Sequence, residues 1–262
     1  MAASVLSARG TPLGVIVRVD KNQFRNRLCA WFRRHGRDLP WRRTRDPYAI
    51  LVSEMMLQQT TVAAVVPYFE RWMKRFPTVQ KLAAAKESEV LALWQGLGYY
   101  RRARSLHAAA TKVGRDMGGV FPRDYDGLRS LPGVGDYTAQ AVRAFAFDES
   151  VPVLDANVIR VVARLFDIRT PVDTAKGLAK VRGKLEELLP AKGGHEFASA
   201  MMELGALVCR AGRPDCLLCP VKSFCAACSD RSLTGAFGAL TGNFTGCFAA
   251  QKLFTGQSRQ SG

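Results

Sequence analysis

Apolar residues along this chain recur mostly at intervals of three and four, the spacing of one face of an α-helix. Phe24, Leu28, Trp31 and Phe32 make the first such stripe. Asp46-Pro47 reads as a helix start, a carboxylate N-cap followed by proline in the first turn. That helix continues through Ile50, Leu51, Met55 and Leu57. Thr78 and Ser88 are expected to open two short helices, the second closed by Gly96 and Gly98. A long basic helix then spans Tyr99 to Met117, and LPGVG at 131–135 is a tight turn before a helix over 136–147. After an extended piece at 151–154, helices are expected over about 156–167, 174–189 and 194–208. No alternation of period two lasts long enough for a sheet, so the expected fold class is all-α. Residues 231–262 break the pattern, with six glycines, four phenylalanines and no acidic residue, and are expected to form a poorly ordered tail.

Composition narrows the partner. The chain has 262 residues, 48% of them hydrophobic, which excludes disorder for most of its length. No apolar run approaches the ~18 residues of a membrane span, and the N-terminus shows no secretory pattern. A reducing, cytoplasmic compartment is therefore expected, nucleoid-associated if the partner is DNA. Lys and Arg number 38 against 22 Asp and Glu, a formal net charge of +16 that favours a polyanionic partner. Half of this excess falls in the first fifty residues, which carry eleven basic and three acidic side chains. Arg33, Arg34 and Arg37 alone would be an ordinary solvated face. Arg42, Arg43 and Arg45, however, are interleaved with Trp41 and Tyr48, and Arg101, Arg102 and Arg104 follow Tyr99 and Tyr100. Cations beside aromatics suit phosphate pairing and base stacking, which favours nucleic acid.

Five of the seven cysteines lie within twenty residues. Cys209-x6-Cys216-x2-Cys219-x5-Cys225 brings four thiolates onto one loop, suited to an iron–sulfur cubane or a structural zinc. The alternative pairing, Cys216-x2-Cys219 with Cys225-x2-Cys228, would suggest zinc. Cys29 lies on an apolar stripe and reads as a buried small hydrophobe, and Cys247 has no visible role. Gly133 and Gly135 allow close backbone approach to a ligand, and the helix that follows offers its N-terminal amides, an anion site indifferent to base sequence. Asp155, after the extended piece, occupies an N-cap position. Glu54 is the one acid beyond the cap of its helix, among Leu51, Val52, Met55, Met56 and Leu57; it is either a solvated edge or a desolvated acid with a raised pKa.

Together these residues resemble the helix-hairpin-helix DNA glycosylases that carry an iron–sulfur cluster, the endonuclease III superfamily, and within it the adenine DNA glycosylases of the MutY type. The resemblance covers about 20–228 and rests on LPWRRTRDPYAILVSEMMLQQTTV (39–62), VPYFERWMKRFPTV (66–79), LWQGLGYYRRAR (93–104), LPGVGDYTA (131–139), VPVLDANVIRV (151–161), MMELGALVC (201–209) and the cysteine loop. The segments around SEMMLQQT and LGYYRRAR identify the branch, while LPGVG and the cysteine loop identify only the superfamily.

The resemblance implies an all-α, two-lobed core: an N-terminal segment (1–39) packing with the cluster lobe, a helical barrel with the hairpin (40–150), the cluster lobe (151–228) and the tail (229–262). It implies a monomer on double-stranded DNA holding a mispaired base, with adenine opposite 8-oxoguanine or guanine removed by hydrolysis of its N-glycosidic bond. Glu54 then matches the general acid, Asp155 the carboxylate that stabilises or captures the sugar cation, and Asn157 a residue supporting it. Tyr137 stands where bifunctional relatives carry a Schiff-base lysine, so base removal without efficient strand cleavage is expected. Gln59 and Tyr99 match side chains that wedge into the duplex, Trp41, Arg42 and Leu57 the adenine pocket, and Gly133 and Gly135 a phosphate anchor. Cys209, Cys216, Cys219 and Cys225 match the ligands of a 4Fe-4S cluster, with Arg210, Arg213 and Lys222 facing phosphates. Three departures stand out: Ala156 replaces the usual glycine between Asp155 and Asn157, Ser199 replaces a Gln or Glu, and only the Gly/Phe tail follows where a Nudix-like domain is usual. The competing expectations are a thymine (G·T) mismatch glycosylase of the same superfamily and a non-catalytic iron–sulfur DNA-binding protein.

Overall fold

A computed structural model describes residues 19–229 of the chain, with the side chain of Ser229 excepted; the Gly/Phe tail beyond them and Cys247 lie outside the described residues. The described residues form α-helices and short 3-10 turns with no strand. The helices are α1 (Lys21–His35), α2 (Pro47–Leu57), α3 (Val62–Arg75), α4 (Val79–Ala83), α5 (Glu87–Trp94), α6 (Arg101–Asp116) and α7 (Tyr125–Arg129). They continue with α8 (Asp136–Phe147), α9 (Ala156–Leu165), α10 (Ala175–Leu188), α11 (Gly194–Leu207) and α12 (Ala226–Ser229).

Local chemistry sets most boundaries. Asp46 caps α2 by accepting from the Tyr48 amide, with Pro47 at the first position, and Thr78 caps α4 through the Lys81 amide. The sequence reading does not contain α3, α7 or α12, and it starts α5 at a different residue. Helix α5 begins at Glu87, not after Ser88; Lys86 precedes it without a side-chain cap, and Glu87 and Glu89 in the first turn stabilise the helix's positive end instead. Helix α3 was not read from the pattern because Pro67 lies inside it, a residue that ordinarily interrupts a helix. Burial of Val65, Phe69 and Trp72 on one face holds α3 together across that break.

Two hydrophobic cores organise the molecule. The first gathers around α2, where every residue from Tyr48 to Met56 is buried, including Ser53 and Glu54. A helix buried all round belongs at the centre of its layer, and α3, α6 and α8 pack about this one. The Tyr48 hydroxyl donates to the Phe76 carbonyl (2.8 Å) and accepts from Trp72 Nε1 (3.1 Å), so its buried oxygen is satisfied. The second core joins Phe24 and Leu28 of α1 to α9, α10 and α11. Helices α8 and α11 also pack together, which brings the end of α2 near the start of α9.

Candidate active site and nucleic-acid interface

A cavity of about 320 Å³ lies between the two cores. Its wall includes Glu54, Tyr137, Asp155 and Asn157, together with Trp41, Arg42, Leu57 and Gln59. Tyr99, Gly133, Gly135 and Arg210 do not line it.

Glu54 is 6% exposed. Burial raises its carboxyl to about 7; a hydrogen bond from Tyr137 opposes the shift and the charge of Asp155 adds to it. Burial holds the Tyr137 phenol well above its usual range, with Glu54 and Asp155 adding to the effect, so the phenol stays a donor. Burial also raises Asp155, but less effectively, because the Val158 amide (2.7 Å) and the Asn157 amide group (2.8 Å) donate to its carboxylate. The donors around Asp155 favour its ionised form, while burial favours the protonated form of Glu54. One cavity thus holds two carboxyl groups whose surroundings push in different directions.

Asp155 is also the N-cap of α9, so the side chain that lines the cavity holds the helix start as well. Ala156 begins α9 as an ordinary helical residue. Asn157 is clamped from behind. Arg160 Nη2 donates to Asn157 Oδ1 and to the Gly205 carbonyl, each 2.8 Å, and Arg160 Nε donates to the Cys209 carbonyl (2.8 Å). A methyl group at Gly205 would lie 2.5 Å from Asn157 Cβ, so α11 can approach this turn only with glycine there.

Glu203 was not singled out by the sequence reading, although it is an acid in an apolar helix as Glu54 is. Its side chain is fully buried and accepts from the Arg37 amide (2.8 Å), Arg37 Nε (2.8 Å) and Arg42 Nη2 (2.8 Å). These partners overcome burial and lower its carboxyl to about 2. Arg42 thus lines the cavity with its donors committed to Glu203 and to the Arg37 carbonyl (3.0 Å).

The arginine-rich runs are more structural than their spacing suggested. Arg33 pairs with Glu196, Arg43 with Asp38, Arg104 with Glu87, and Arg45 donates to the Phe145 carbonyl. Arg102, expected beside phosphate, is buried. It donates to the carbonyls of Met55 (2.9 Å), Met56 (3.0 Å), Gln58, Leu97 (3.1 Å) and Gly98 (3.3 Å). These carbonyls terminate α2 and the turn before α6, so one guanidinium fixes both turns. Those turns present Gln59 and Tyr99, both with left-handed backbone (φ 56° and 48°), an uncommon state that surrounding contacts must hold. Tyr99 is 64% exposed and Tyr100 40%. Gly133 has φ 78°, and a methyl there would lie 2.5 Å from Ser105 Cβ. Gly135 precedes α8 with no side chain capping the helix amides.

A second cavity, about 40 Å³, is lined by Cys209, Cys216, Cys219, Cys225 and, beyond the expected four, Cys228. Among the described residues, no three His, Cys, Asp or Glu side chains converge as a single ion requires. Burial pushes the Cys219 thiol up to about 11 and Cys225 to about 12, so as thiols they stay protonated. Arg164 Nη1 lies 3.4 Å from Cys209 Sγ and donates to the Arg210 carbonyl (2.8 Å). Arg210, Arg213 and Lys222 are exposed on this loop. No helix among the described residues is long and apolar enough to cross a membrane.

Comparison with known proteins places this geometry. The HhH-GPD superfamily base excision DNA repair protein model matches residues 52–190. The chain is 44% identical over 234 residues to the adenine DNA glycosylase of Rattus norvegicus, covering 86% of this chain and 45% of the relative. It is 47% identical over 196 residues to the adenine DNA glycosylase of Mycobacterium tuberculosis, covering 74% and 64%. It therefore spans about half to two thirds of the length of these relatives. A thermostable thymine-DNA glycosylase superposes with TM-score 0.72 and 29% identity, over 79% of this chain and 96% of that one. A trapped endonuclease III–DNA covalent intermediate gives TM-score 0.67 and 26% identity, over 82% and 99%. With the family match extending from the helix of Glu54 through the hairpin to the end of α10, the chain belongs to the HhH-GPD superfamily of base excision DNA repair proteins.

Proposed function

We propose that the chain is a monofunctional DNA glycosylase that acts as a monomer on duplex DNA in a cytoplasmic, nucleoid setting and removes adenine mispaired with 8-oxoguanine or guanine. The observation that carries this reading is the placement of Glu54 and Asp155 in one cavity, with burial raising the Glu54 carboxyl to about 7 and the Val158 amide and Asn157 donating to the Asp155 carboxylate. Adenine is a poor leaving group until protonated. Glu54 donates its proton to a ring nitrogen of the extruded base, and the glycosidic electron pair departs with adenine. Positive charge grows on the sugar, where the Asp155 carboxylate stabilises or transiently captures it. Water then attacks the anomeric carbon and returns a proton to Glu54. Tyr137 offers a phenol where an amine would be needed for a Schiff base, so the sugar–phosphate strand stays intact.

The base must leave the duplex to enter the cavity. Gln59 and Tyr99 fill the gap, Trp41, Arg42 and Leu57 wall the base, and the amides at Gly133 and Gly135 with Arg210 hold phosphates. Cys209, Cys216, Cys219 and Cys225 would hold a 4Fe-4S cluster. Thiols sharing one cavity wall fit a group held by cysteine thiolates, as a 4Fe-4S cluster would be. Held by these four cysteines, such a cluster would brace the loop covalently, and the hydrolysis proposed above would need no electron from it.

Duplexes carrying 8-oxoG·A, G·A and G·T, incubated with the protein and then treated with alkali, test the proposal. Cleavage at the adenine pairs is expected. Cleavage confined to G·T would replace adenine with thymine as the substrate, a reading in keeping with the similarity to a thymine-DNA glycosylase. No cleavage of any duplex by metal-loaded protein would leave the non-catalytic reading.

A further inference from the structure

We infer that Nε2 of His195 is the acceptor that reads the exocyclic amino group of the extruded base, making the cavity selective for a 6-aminopurine over a 6-oxopurine. The inference rests on the adenine-excision reading and specifies how the base is recognised.

His195 lies in the first turn of α11, is 8% exposed and lines the main cavity. Its ring is fixed from two sides. Nδ1 is 3.0 Å from the Phe145 carbonyl oxygen, and the Phe145 ring meets the imidazole edge-on at 5.6 Å. The His195 backbone amide donates to Asp148 Oδ1 (2.9 Å), which anchors the turn carrying the ring. A carbonyl oxygen only accepts, so the proton resides on Nδ1 and Nε2 presents a lone pair. Burial lowers the imidazole pKa, and nearby Arg45 and Arg42 act in the same direction, against the Phe145 carbonyl and Asp148. The neutral tautomer is thereby maintained at neutral pH.

Nε2 has no hydrogen-bond partner among the described residues, yet it is not among the solvent-sealed polar atoms that lack one. It therefore opens onto the cavity. A fixed, unpartnered acceptor on the cavity wall is a recognition element for an N–H donor. Adenine presents such a donor at its 6-amino group. A 6-oxo group would instead set lone pair against lone pair, and a site built around one hydrogen bond rejects the base that cannot make it. Ser199, one turn further along α11, is buried on the same wall.

Single-turnover excision of adenine, unsubstituted purine and hypoxanthine, each opposite 8-oxoguanine, tests this with the full chain and two variants. His195→Ala is expected to slow adenine excision by about 10- to 100-fold. Purine excision, which has no amino group to lose, should change by less than about threefold. His195→Gln, whose carbonyl oxygen can accept, should restore part of the adenine rate. The preference for adenine over hypoxanthine should shrink in His195→Ala and recover in His195→Gln. An equal loss on all three bases would mark His195 as purely structural and overturn the inference, as would an unchanged preference. If the unmodified chain excises no base from any of the three duplexes, the adenine-excision reading falls and this inference with it.

Discussion

The Glu54 carboxyl on α2 is hydrogen-bonded to the Tyr137 phenol on α8, directly after the glycine hairpin. The element proposed to hold a phosphate and the acid proposed to protonate the base therefore share one contact. The bond favours the carboxylate, while burial and Asp155 favour the acid, and the balance leaves Glu54 near 7.

Removing the phenol should move that balance in a known direction. In Tyr137→Phe the bond that lowers the Glu54 pKa is gone, so the acid should hold its proton to higher pH. The alkaline limb of single-turnover excision should shift upward relative to the unmodified protein. A downward shift would mean that Tyr137 serves Glu54 in some other way.

Glu54 also bears on stability. Its folded pKa of about 7 lies above its ordinary 4.5. The folded state binds the extra proton, so stability is fully present below pH ~4.5 and falls as pH rises through 7. Glu54→Gln should consequently raise the melting temperature relative to the parent at pH 8 more than at pH 5. Excision should fall by about 10²- to 10⁴-fold while DNA binding persists. A variant that excises at the parental rate would refute the assignment of the acid.

Glu203 has the opposite linkage. Its carboxyl is lowered to about 2 from 4.5, so its contribution is present above pH ~4.5 and is lost as pH falls through 2. A shift of this size corresponds to roughly 3 kcal/mol. Glu203→Gln at pH 7 leaves Arg37 and Arg42 without their counter-charge and should cost about 3–5 kcal/mol. Urea unfolding at pH 7 and pH 3 is the measurement, and the gap between parent and variant should narrow at pH 3.

Arg102 links the two turns that carry Gln59 and Tyr99. Arg102→Lys retains the charge but not the fan of donors, and Gln59 and Tyr99 should lose their left-handed turns. With 2-aminopurine in place of the target adenine, the fluorescence rise on base extrusion should be reduced in the variant. Excision should drop in parallel, with thermal stability less affected than extrusion. Unchanged extrusion would confine Arg102 to a role in packing.

The cysteine cavity predicts unequal variants. Cys228→Ser should keep the iron content and the absorbance near 400 nm (about the range of iron–sulfur charge-transfer bands). Ser at Cys209, Cys216, Cys219 or Cys225 should lose both. Loss of the cluster in Cys228→Ser alone would move Cys228 into the ligand set in place of one of the four.

Local sequence determined much of this protein. Asp46-Pro47, Thr78 and Asp155 place helix starts because a cap acts within three residues of its own position. The cysteine spacing marks the second cavity because its residues are near neighbours in the chain. Glu54 in an apolar run was recognisable as unusual, but its surroundings were not. Whether it was a solvated edge or a buried acid depended on α8 and α9, which the α2 sequence does not contain.

The tertiary structure alone decided which charges are spent. In the sequence, Arg37 looked like part of a solvated face, and Arg42 and Arg102 like DNA contacts, since a cation beside an aromatic has the same local signature whether it faces solvent or core. Folding brings Glu203 to Arg37 from 166 residues away and closes Arg102 over the carbonyls that end α2. It also turns His195, an unremarked residue in a short helix start, into a fixed acceptor on the cavity wall. Caps and ligand spacings are local, so the chain states them directly. Burial and partner choice depend on residues far apart in sequence, and only the packed molecule supplies them.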